Sequence, residues 1–173
     1  MKDIKGKEFE SNSKNFDNLY RRKDPWKLKG SKYEKFKLDK IKKLIHLLQP
    51  KRILDVGCGE GLTTAEYQKV CGSYVEGLDF SKTAITRAKI NNPSINFILG
   101  NVFGIQKRLS FYDLIVLSEL VYYIPDEGLD GFIRRIYQLV KFNGQVLICH
   151  NQKHLSKDFI KRFSSVFDNR LLR

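Results

Sequence analysis

Short apolar runs alternate along this chain with longer segments in which apolar residues recur every three or four positions. The short runs, bounded by turn residues, predict buried strands, and the longer period predicts amphipathic helices. Five strands are predicted, over residues 52–56, 74–79, 95–99, 113–117 and 145–149. Five helices are predicted, over residues 38–48, 63–70, 82–90 and 129–140 and along the stripe of Phe159, Phe163 and Phe167. Because strands and helices alternate, the pattern predicts an α/β fold with right-handed crossovers and a mostly parallel sheet.

Turn and cap residues mark the ends of these elements. Pro50 ends the helix before the first strand, Ser81 is a candidate N-cap, and Phe142-Asn143-Gly144 predicts a turn before the fifth strand. The length of 173 residues and the short connections predict a single domain. Within it, residues 1–50 are expected to form a basic lead-in with helices, and residues 51–173 the core.

Charge is distributed unevenly along the chain, which carries a formal net charge of +13. Residues 1–52 contribute +10 of this charge, whereas residues 53–152 contribute −1. Basic flanks can attract an anionic small acceptor, such as a nucleotide-sugar, or RNA. A solvated lysine-rich surface explains the same pattern, and we favour it because the basic residues are spread through a helix and its lead-in.

Composition argues against several classes of protein. No apolar run approaches the roughly 20 residues of a membrane span, and the charged N-terminus lacks the apolar segment of a secretory signal. The three cysteines, Cys58, Cys71 and Cys149, are odd in number and have no paired spacing, which argues against a disulfide framework or a metal site. The sequence therefore predicts a cytoplasmic monomer or homodimer that uses no metal ion and does not bind membranes.

Residues 52–64 combine a predicted strand, a glycine-rich turn and the start of a helix. Gly57, Gly59 and Gly61 allow a sharp turn and a close approach of ligand to backbone, and the next helix directs free N–H groups at that ligand. The G-x-G-x-G spacing differs from the G-x-G-x-x-G of dinucleotide-binding proteins. Asp55 favours a ligand that carries an amine or a sulfonium, because its carboxylate repels phosphate.

This run resembles motif I of the class I S-adenosylmethionine (SAM) methyltransferases. The resemblance implies a Rossmann-like, doubly wound, mostly parallel sheet and SAM as the cofactor. It also implies that Gly57, Cys58 and Gly59 cradle the methionine part of SAM and that Asp55 lies near its amino group. The alternative is a glycine-rich turn in another nucleotide-binding α/β fold. A nicotinamide-dependent dehydrogenase is disfavoured by the glycine spacing and by Asp55.

Candidate residues for the adenosine part follow the second and third predicted strands. Asp79 can accept hydrogen bonds from both hydroxyls of a ribose, or it can only cap the helix that follows. Phe80 can cover one face of the adenine. Asn101 and Val102 occupy the place where the family usually carries an aspartate for the adenine amino group. The amide oxygen of Asn101 can still accept that hydrogen bond, without the help of a charge.

Candidate residues for the reacting end follow the fourth and fifth predicted strands. Ligands of open α/β sheets lie outside the carboxyl ends of the strands, which places Ser118 and Glu119 near the sulfonium end of SAM. Tyr122 and Tyr123 can line the acceptor pocket or pack under the next helix. Glu119 and His150 are the candidate groups to remove a proton from an acceptor amine or to orient it.

The lead-in adds a narrower resemblance. The lead-in carries Asp24-Pro25-Trp26, then Ser31-Lys32-Tyr33-Glu34 and Lys37. Together with the segment 118–124, it looks like the nodulation protein S (NodS) branch of the class I family. That resemblance implies that the lead-in folds over the SAM site as a lid, with Trp26 and Tyr33 in contact with cofactor or substrate, or packed within the lid. The family fold closes with two further strands, whereas 24 residues follow Cys149. A sheet in which these strands are missing or short is therefore expected.

The resemblance implies methyl transfer from SAM to a nitrogen or oxygen of a small acceptor, such as a sugar, an amino sugar or a nucleotide-sugar. An RNA methyltransferase is the first alternative, because of the basic flanks. The fourth strand ends in Ser-Glu-Leu-Val, however, and lacks the Asn/Asp-Pro-Pro-aromatic motif of many enzymes that methylate base amino groups. The second alternative is a non-catalytic SAM-binding protein with a reduced C-terminal region.

Overall fold

A computed structural model describes residues 15–26, 30–105, 109–150 and 157–168 of the protein. Its helices are α1 over residues 15–19, α2 Lys32–Leu48, α3 Leu62–Cys71, α4 Lys82–Asn91, α5 Asp126–Leu139 and α6 Lys157–Asp168. Its strands are β1 Arg52–Val56, β2 Tyr74–Asp79, β3 Asn96–Leu99, β4 Tyr112–Ser118 and β5 Val140–Cys149. Two short 3-10 turns, Val102–Gly104 and Val121–Tyr123, follow β3 and β4. Among these residues, no helix is both long enough and apolar enough to span a membrane.

The five strands form one parallel sheet in the order β3-β2-β1-β4-β5. The strand order reverses between β1 and β4, and in such sheets the crevice outside the strand ends at the reversal receives the ligand. The predicted Rossmann-like, doubly wound α/β fold is confirmed. The described residues beyond position 150 form α6, so β5 is the last strand of the described sheet.

Helices cover both faces of the sheet, as the continuous apolar runs of the central strands require. In β1, Leu54 packs on the face covered by α5 and α6, and Ile53 packs on the face covered by α2. In β4, Ile115 packs on the face covered by α5 and α6, and Leu114 packs on the face covered by α2. Residues 53–56 of β1 and 114–117 of β4 are therefore buried, and the carboxyl ends of these strands lead into the crevice.

Helix α2 begins earlier than the apolar pattern predicted. The Ser31 side chain accepts a hydrogen bond from the Glu34 backbone N–H at 3.2 Å, which caps the first turn. This first turn is polar, so the periodicity that begins at Leu38 did not include it. The earlier start brings Tyr33, Glu34 and Lys37 onto the helix.

The start of β5 corrects the prediction of a turn at residues 142–144. Helix α5 passes directly into β5, which begins at Val140. Tyr112 pairs with Val140 and Leu114 pairs with Gln145, so β5 bulges out between these two pairs. A Cβ on Gly144 would lie 2.7 Å from Val140 Cγ2, and only glycine fits this approach. The predicted turn residues therefore form a bulge inside the strand.

Two glycine substitutions should change stability in opposite directions. A Cβ on Gly77 of β2 would lie 2.6 Å from the Phe97 ring and 2.8 Å from Cys58 Sγ. Gly77→Ala should therefore lower the free energy of unfolding by roughly 1–3 kcal/mol through overpacking. Gly128 lies in α5 with no atom within 4 Å of its added Cβ. Gly128→Ala should raise the free energy of unfolding by about 0.5–1 kcal/mol.

Urea unfolding followed by circular dichroism measures both changes. Equal midpoints for Gly77→Ala and the parent protein would contradict the tight packing of β2 against Phe97.

Candidate active site

A cavity of about 390 Å³ opens at the carboxyl ends of β1, β2 and β4. Its size falls in the range of small-molecule sites. Ten residues predicted from the core line it: Asp55, Gly57, Cys58, Gly59, Asp79, Phe80, Ser118, Glu119, Tyr122 and Tyr123. Trp26 and Tyr33, predicted from the lead-in, line it as well.

The loop after β1 forms the floor of this cavity. Gly57, Gly59 and Gly61 all have positive φ angles, of 77°, 54° and 74°, which residues with a Cβ rarely adopt. A Cβ on Gly59 would lie 2.6 Å from the Tyr20 hydroxyl, and one on Gly57 would lie 3.0 Å from Leu120 Cδ1. The absence of side chains therefore lets Tyr20 and Leu120 pack directly against the loop, and Gly57 and Gly59 contribute backbone to the cavity wall.

Asp55 lies beneath this loop, and 2% of its surface is exposed. Its Oδ2 accepts hydrogen bonds from the Thr64 hydroxyl at 2.6 Å and the Thr63 hydroxyl at 3.5 Å. Burial raises the pKa of Asp55 to about 6, and the nearby charge of Asp79 adds to this rise. A cation bound close to Asp55 would stabilise its ionised form.

Asp79 at the end of β2 connects the loops that follow β1 and β2. Its Oδ2 accepts from the Gly59 N–H at 2.9 Å, and its Oδ1 accepts from the Ser81 N–H at 2.8 Å. Burial raises the pKa of this carboxyl above its ordinary value. Each carboxylate oxygen can accept more than one hydrogen bond, so both can still receive ligand hydroxyls.

Glu119 lies at the end of β4 in an unusual backbone conformation. Its φ is +52°, and its N–H donates to the Cys149 carbonyl at 2.7 Å. The Tyr33 hydroxyl donates to its Oε1 at 3.2 Å, and the Lys37 ammonium lies 3.4 Å from the same oxygen. A residue other than glycine in the left-handed region persists only where its surroundings fix it, and such residues cluster at functional sites.

Lys37 and Glu34 line the cavity, although the sequence analysis used them only for the lead-in resemblance and gave them no role in the site. The Lys37 ammonium lies 2.7 Å from Glu34 Oε2, and 6% of the residue is exposed. One signal was present in the sequence, since Lys37 continues the buried stripe of Ile41 and Ile45 on α2. A lysine in an apolar stripe needs a charged partner, and here Glu34 and Glu119 provide it.

Aromatic rings form the side of the cavity next to the loop after β2. The ring of Phe16, which the sequence analysis did not single out, lies 5.0 Å from the rings of both Phe80 and Tyr123, edge to face. Trp26 lies 6.4 Å from Tyr123, and Tyr122 lies 4.4 Å from it. These rings provide flat apolar faces on the wall of the cavity that Asp79 also lines.

Three predicted residues do not line the cavity. The Asn101 side-chain oxygen accepts from the Phe103 and Gly104 N–H groups at 2.9 and 3.2 Å, and thereby caps a 3-10 turn. Val102 is buried in the core between the sheet and α5. His150 follows β5 outside the cavity wall. Their assignments to adenine binding and to proton transfer stay predictions.

The doubly wound sheet, with a glycine loop after β1 and a carboxylate after β2, is the fold of the class I methyltransferases. Residues 53–144 match the family model described as a methyltransferase domain. The chain therefore belongs to the methyltransferase domain family.

Individual relatives agree with this assignment. The chain is 27% identical over 144 residues to nodulation protein S of Azorhizobium caulinodans, covering 77% of this chain and 69% of that protein. It is 31% identical over 116 residues to a ubiquinone biosynthesis O-methyltransferase of Rhodopseudomonas palustris, covering 65% of this chain. The chain spans less than half of that enzyme, 44% of its length.

A solved structure supports the fold. The N-methyltransferase NodS of Bradyrhizobium japonicum WM9, in complex with S-adenosyl-L-homocysteine (SAH), superposes with a TM-score of 0.73 at 19% identity. The match covers 88% of this chain and 84% of that chain. The resemblance to NodS that the lead-in indicated is thus confirmed.

The residues of the cavity fit SAM. The backbone of Gly57 and Gly59 forms part of the cavity wall, and the buried carboxylates of Asp55 and Asp79 suit an ammonium group and a ribose. Phe80 supplies an aromatic face beside Asp79.

The raised pKa of Asp55 predicts a specific dependence of stability on pH. The folded state holds the Asp55 proton up to about pH 6, whereas an unfolded aspartate releases it near pH 4. This contribution to stability is complete below the unfolded pKa and is lost as pH rises through the folded pKa. Relative to Asp55→Asn, the parent protein should lose roughly 2–3 kcal/mol of unfolding free energy between pH 4 and pH 7.

Urea unfolding at a series of pH values tests this prediction. Asp113→Asn is the contrasting variant, because the pKa of Asp113 is shifted in the opposite direction from that of Asp55. At Asp113, burial is outweighed by hydrogen bonds from Lys141 and the Arg52 N–H, which lower the pKa of the carboxyl. Parallel stability curves for Asp55→Asn and the parent protein would show that Asp55 titrates as an ordinary exposed carboxyl.

Proposed function

We propose that this protein transfers a methyl group from SAM to the nitrogen of a small amine, with an amino sugar as the simplest example. An oxygen of a related sugar is the second candidate. The observation that carries the choice of nitrogen is the charge of the cavity, which is opposite to that of the chain as a whole.

The described wall of the cavity carries six carboxylates and one ammonium group, that of Lys37. The whole chain, in contrast, has a net charge of +13. A cleft lined by one sign of charge concentrates ligands of the opposite sign. The acidic wall therefore favours a cationic amine and disfavours the phosphates of a nucleotide-sugar or of RNA, which the basic flanks had suggested.

The proposed binding mode of SAM follows from the positions of these groups. The carboxylate of Asp79 receives the ribose hydroxyls, and Phe80 covers the adenine. The glycine loop supports the methionine part, and Asp55 lies beneath it to balance positive charge. Bound SAM supplies an electrophilic methyl group on a positively charged sulfur.

The acceptor is proposed to lie between Glu119 and the aromatic rings. An amine reacts through its lone pair, so an arriving ammonium group must first lose a proton. The Glu119 carboxylate is placed to receive that proton or to hold the amine in line with the methyl group. Tyr122 and Trp26 exclude water and offer ring faces that attract a cation.

The names of the relatives support this range of acceptors. One relative is a ubiquinone biosynthesis O-methyltransferase, and the solved NodS structure is that of an N-methyltransferase. Both nitrogen and oxygen are thus represented among similar proteins, and the acidic wall is the reason to place nitrogen first.

Ligand binding should depend on Asp79. Titration of SAH by calorimetry should show binding to the parent protein, and titration of NAD should not. Asp79→Asn should weaken SAH binding roughly tenfold or more, because a hydrogen bond to a charged group contributes about 1.5–3 kcal/mol. Asp39→Asn, which removes an exposed carboxylate from α2, is the matched control.

Thermal unfolding of each variant separates lost affinity from lost structure. Equal SAH affinities for Asp79→Asn and Asp39→Asn would remove Asp79 from the site. Binding of NAD in place of SAH would reject the proposed cofactor.

Methyl transfer should follow the amine group of the acceptor. Incubation with labelled SAM and glucosamine should yield a methylated product, and glucose, which carries a hydroxyl in place of the amine, should react more slowly. Glu119→Gln should reduce the rate on the amine roughly 10²-fold, while Glu127→Gln, an exposed change on α5, should leave it unaltered.

Other outcomes point to the other candidates. Transfer to glucose alone would place the reaction on oxygen. Steeply salt-dependent RNA binding would favour an RNA methyltransferase. SAH binding without transfer to either sugar or to a wider panel of amines would favour a non-catalytic SAM-binding protein.

A further inference from the structure

One wall of the cavity is formed by residues 15–26, here named the strap. Five of its residues line the cavity: Phe16, Tyr20, Asp24, Pro25 and Trp26. Tyr20 is 5% exposed, and its hydroxyl touches the glycine loop where a Cβ on Gly59 would lie 2.6 Å away. A ligand seated on the glycine loop therefore lies against the strap, and movement of the strap would widen the way to the ligand.

The first end of the strap is anchored to the start of α4. The Asp17 carboxylate accepts from the Ser81 hydroxyl at 2.5 Å and from the Thr83 N–H at 3.0 Å. A carboxylate at a helix N-terminus is stabilised by the free N–H groups and the helix dipole. This end of the strap is held by a partly buried cap with two hydrogen bonds to the first turn of α4 and the residue before it.

The second end is contacted by the guanidinium group of Arg87 on α4. Its Nη1 donates to Glu60 Oε1 at 2.6 Å and to the Arg22 carbonyl at 3.1 Å, and its Nη2 donates to the Arg21 carbonyl at 3.5 Å. Glu60 completes the link, because its Oε2 accepts from the Asp24 N–H at 3.2 Å. Arg87 itself does not line the cavity.

We propose that Arg87 is a positioning residue that latches the strap over the ligand site through Glu60. The Arg87 and Glu60 side chains are 26% and 10% exposed, so water can compete for their contact. A partly exposed pair of this kind contributes modestly to stability and opens far more often than the protein unfolds. Ligand exchange then proceeds by release of residues 20–26 while Asp17 stays in place.

The shape of the guanidinium group explains why arginine suits position 87 better than lysine. Its planar set of donors reaches a carboxylate and two carbonyl oxygens together, which a lysine ammonium on a flexible stem does less well. Asp24 has a φ of +48°, and in this conformation its N–H donates to Glu60. Aspartate tolerates this left-handed conformation better than most residues.

The fluorescence of Trp26 can be used to follow the strap. Trp26, in the strap, is the one tryptophan of the chain, and the ring lies 6.3 Å from Phe16 and 6.4 Å from Tyr123. Its fluorescence therefore reports movement of the strap without any introduced label.

The latch is tested first in the ligand-free protein, by hydrogen exchange of the strap amides read by mass spectrometry. Arg87→Gln should speed exchange over residues 20–24 roughly threefold to tenfold, because it removes charge-assisted hydrogen bonds that oppose opening. Arg87→Lys should lie in between. Lys89→Gln, which removes one positive charge from the same helix, should exchange like the parent protein.

A double-mutant cycle identifies the partner. Glu60→Gln should speed exchange about as much as Arg87→Gln, and the double variant should add little to either change. Additive effects, or parent-like exchange in Arg87→Gln, would overturn the proposal.

The consequence for the ligand is tested by stopped-flow fluorescence of Trp26. Arg87→Gln should release SAH roughly threefold to tenfold faster than Lys89→Gln does, since ligand release waits for the strap to open. Equal release rates would overturn the gating role. This second test rests on the proposed function, and absence of SAH binding to the parent protein would reject that function while hydrogen exchange still decides on the latch.

Discussion

The turn from β1 to α3 requires left-handed backbone at Gly57, Gly59 and Gly61. The positions of the other site residues depend on this turn. Because the turn lacks side chains, Tyr20 of the strap and Leu120, next to Glu119, both pack directly against it. The Gly59 N–H then donates to Asp79, which ties the end of β2 to the same turn. The end of β2, the end of β4 and the strap therefore all contact the same turn.

The fold could be predicted from the sequence where one local pattern determines each element. The apolar runs of β1 and β4 alternate between two covered faces, and this arrangement is encoded within each strand. The start of β5 could not be predicted in this way. A glycine after an asparagine favours a turn, whereas the bulge depends on the register between β4 and β5, which lie apart in sequence.

Within the site, too, residues in a local motif could be predicted, whereas residues brought together from distant parts of the chain could not. The glycine loop and Asp79 could be identified because a strand, a turn and a carboxylate follow one another at fixed spacing. Lys37 contacts Glu119 across 82 positions, and Arg87 contacts Arg22 across 65. Such contacts result from how the lead-in packs on the core, and no local pattern reports them. The charge of the whole chain also gave no indication of the acidic cavity, since the basic residues lie mostly elsewhere.

The cap that Asp17 places on α4 has a consequence for how such a protein can change during evolution. Asp17 holds the strap and also satisfies an N–H group at the start of α4, next to Ser81. A substitution there alters the stability of a helix and the closure of the cavity together. Trp26 and Tyr122 also line the cavity but cap no helix in the described residues, so a substitution at either one changes the cavity wall without removing a cap from α4. Variation is then expected at strap residues that only line the cavity, whereas Asp17 is expected to stay constant.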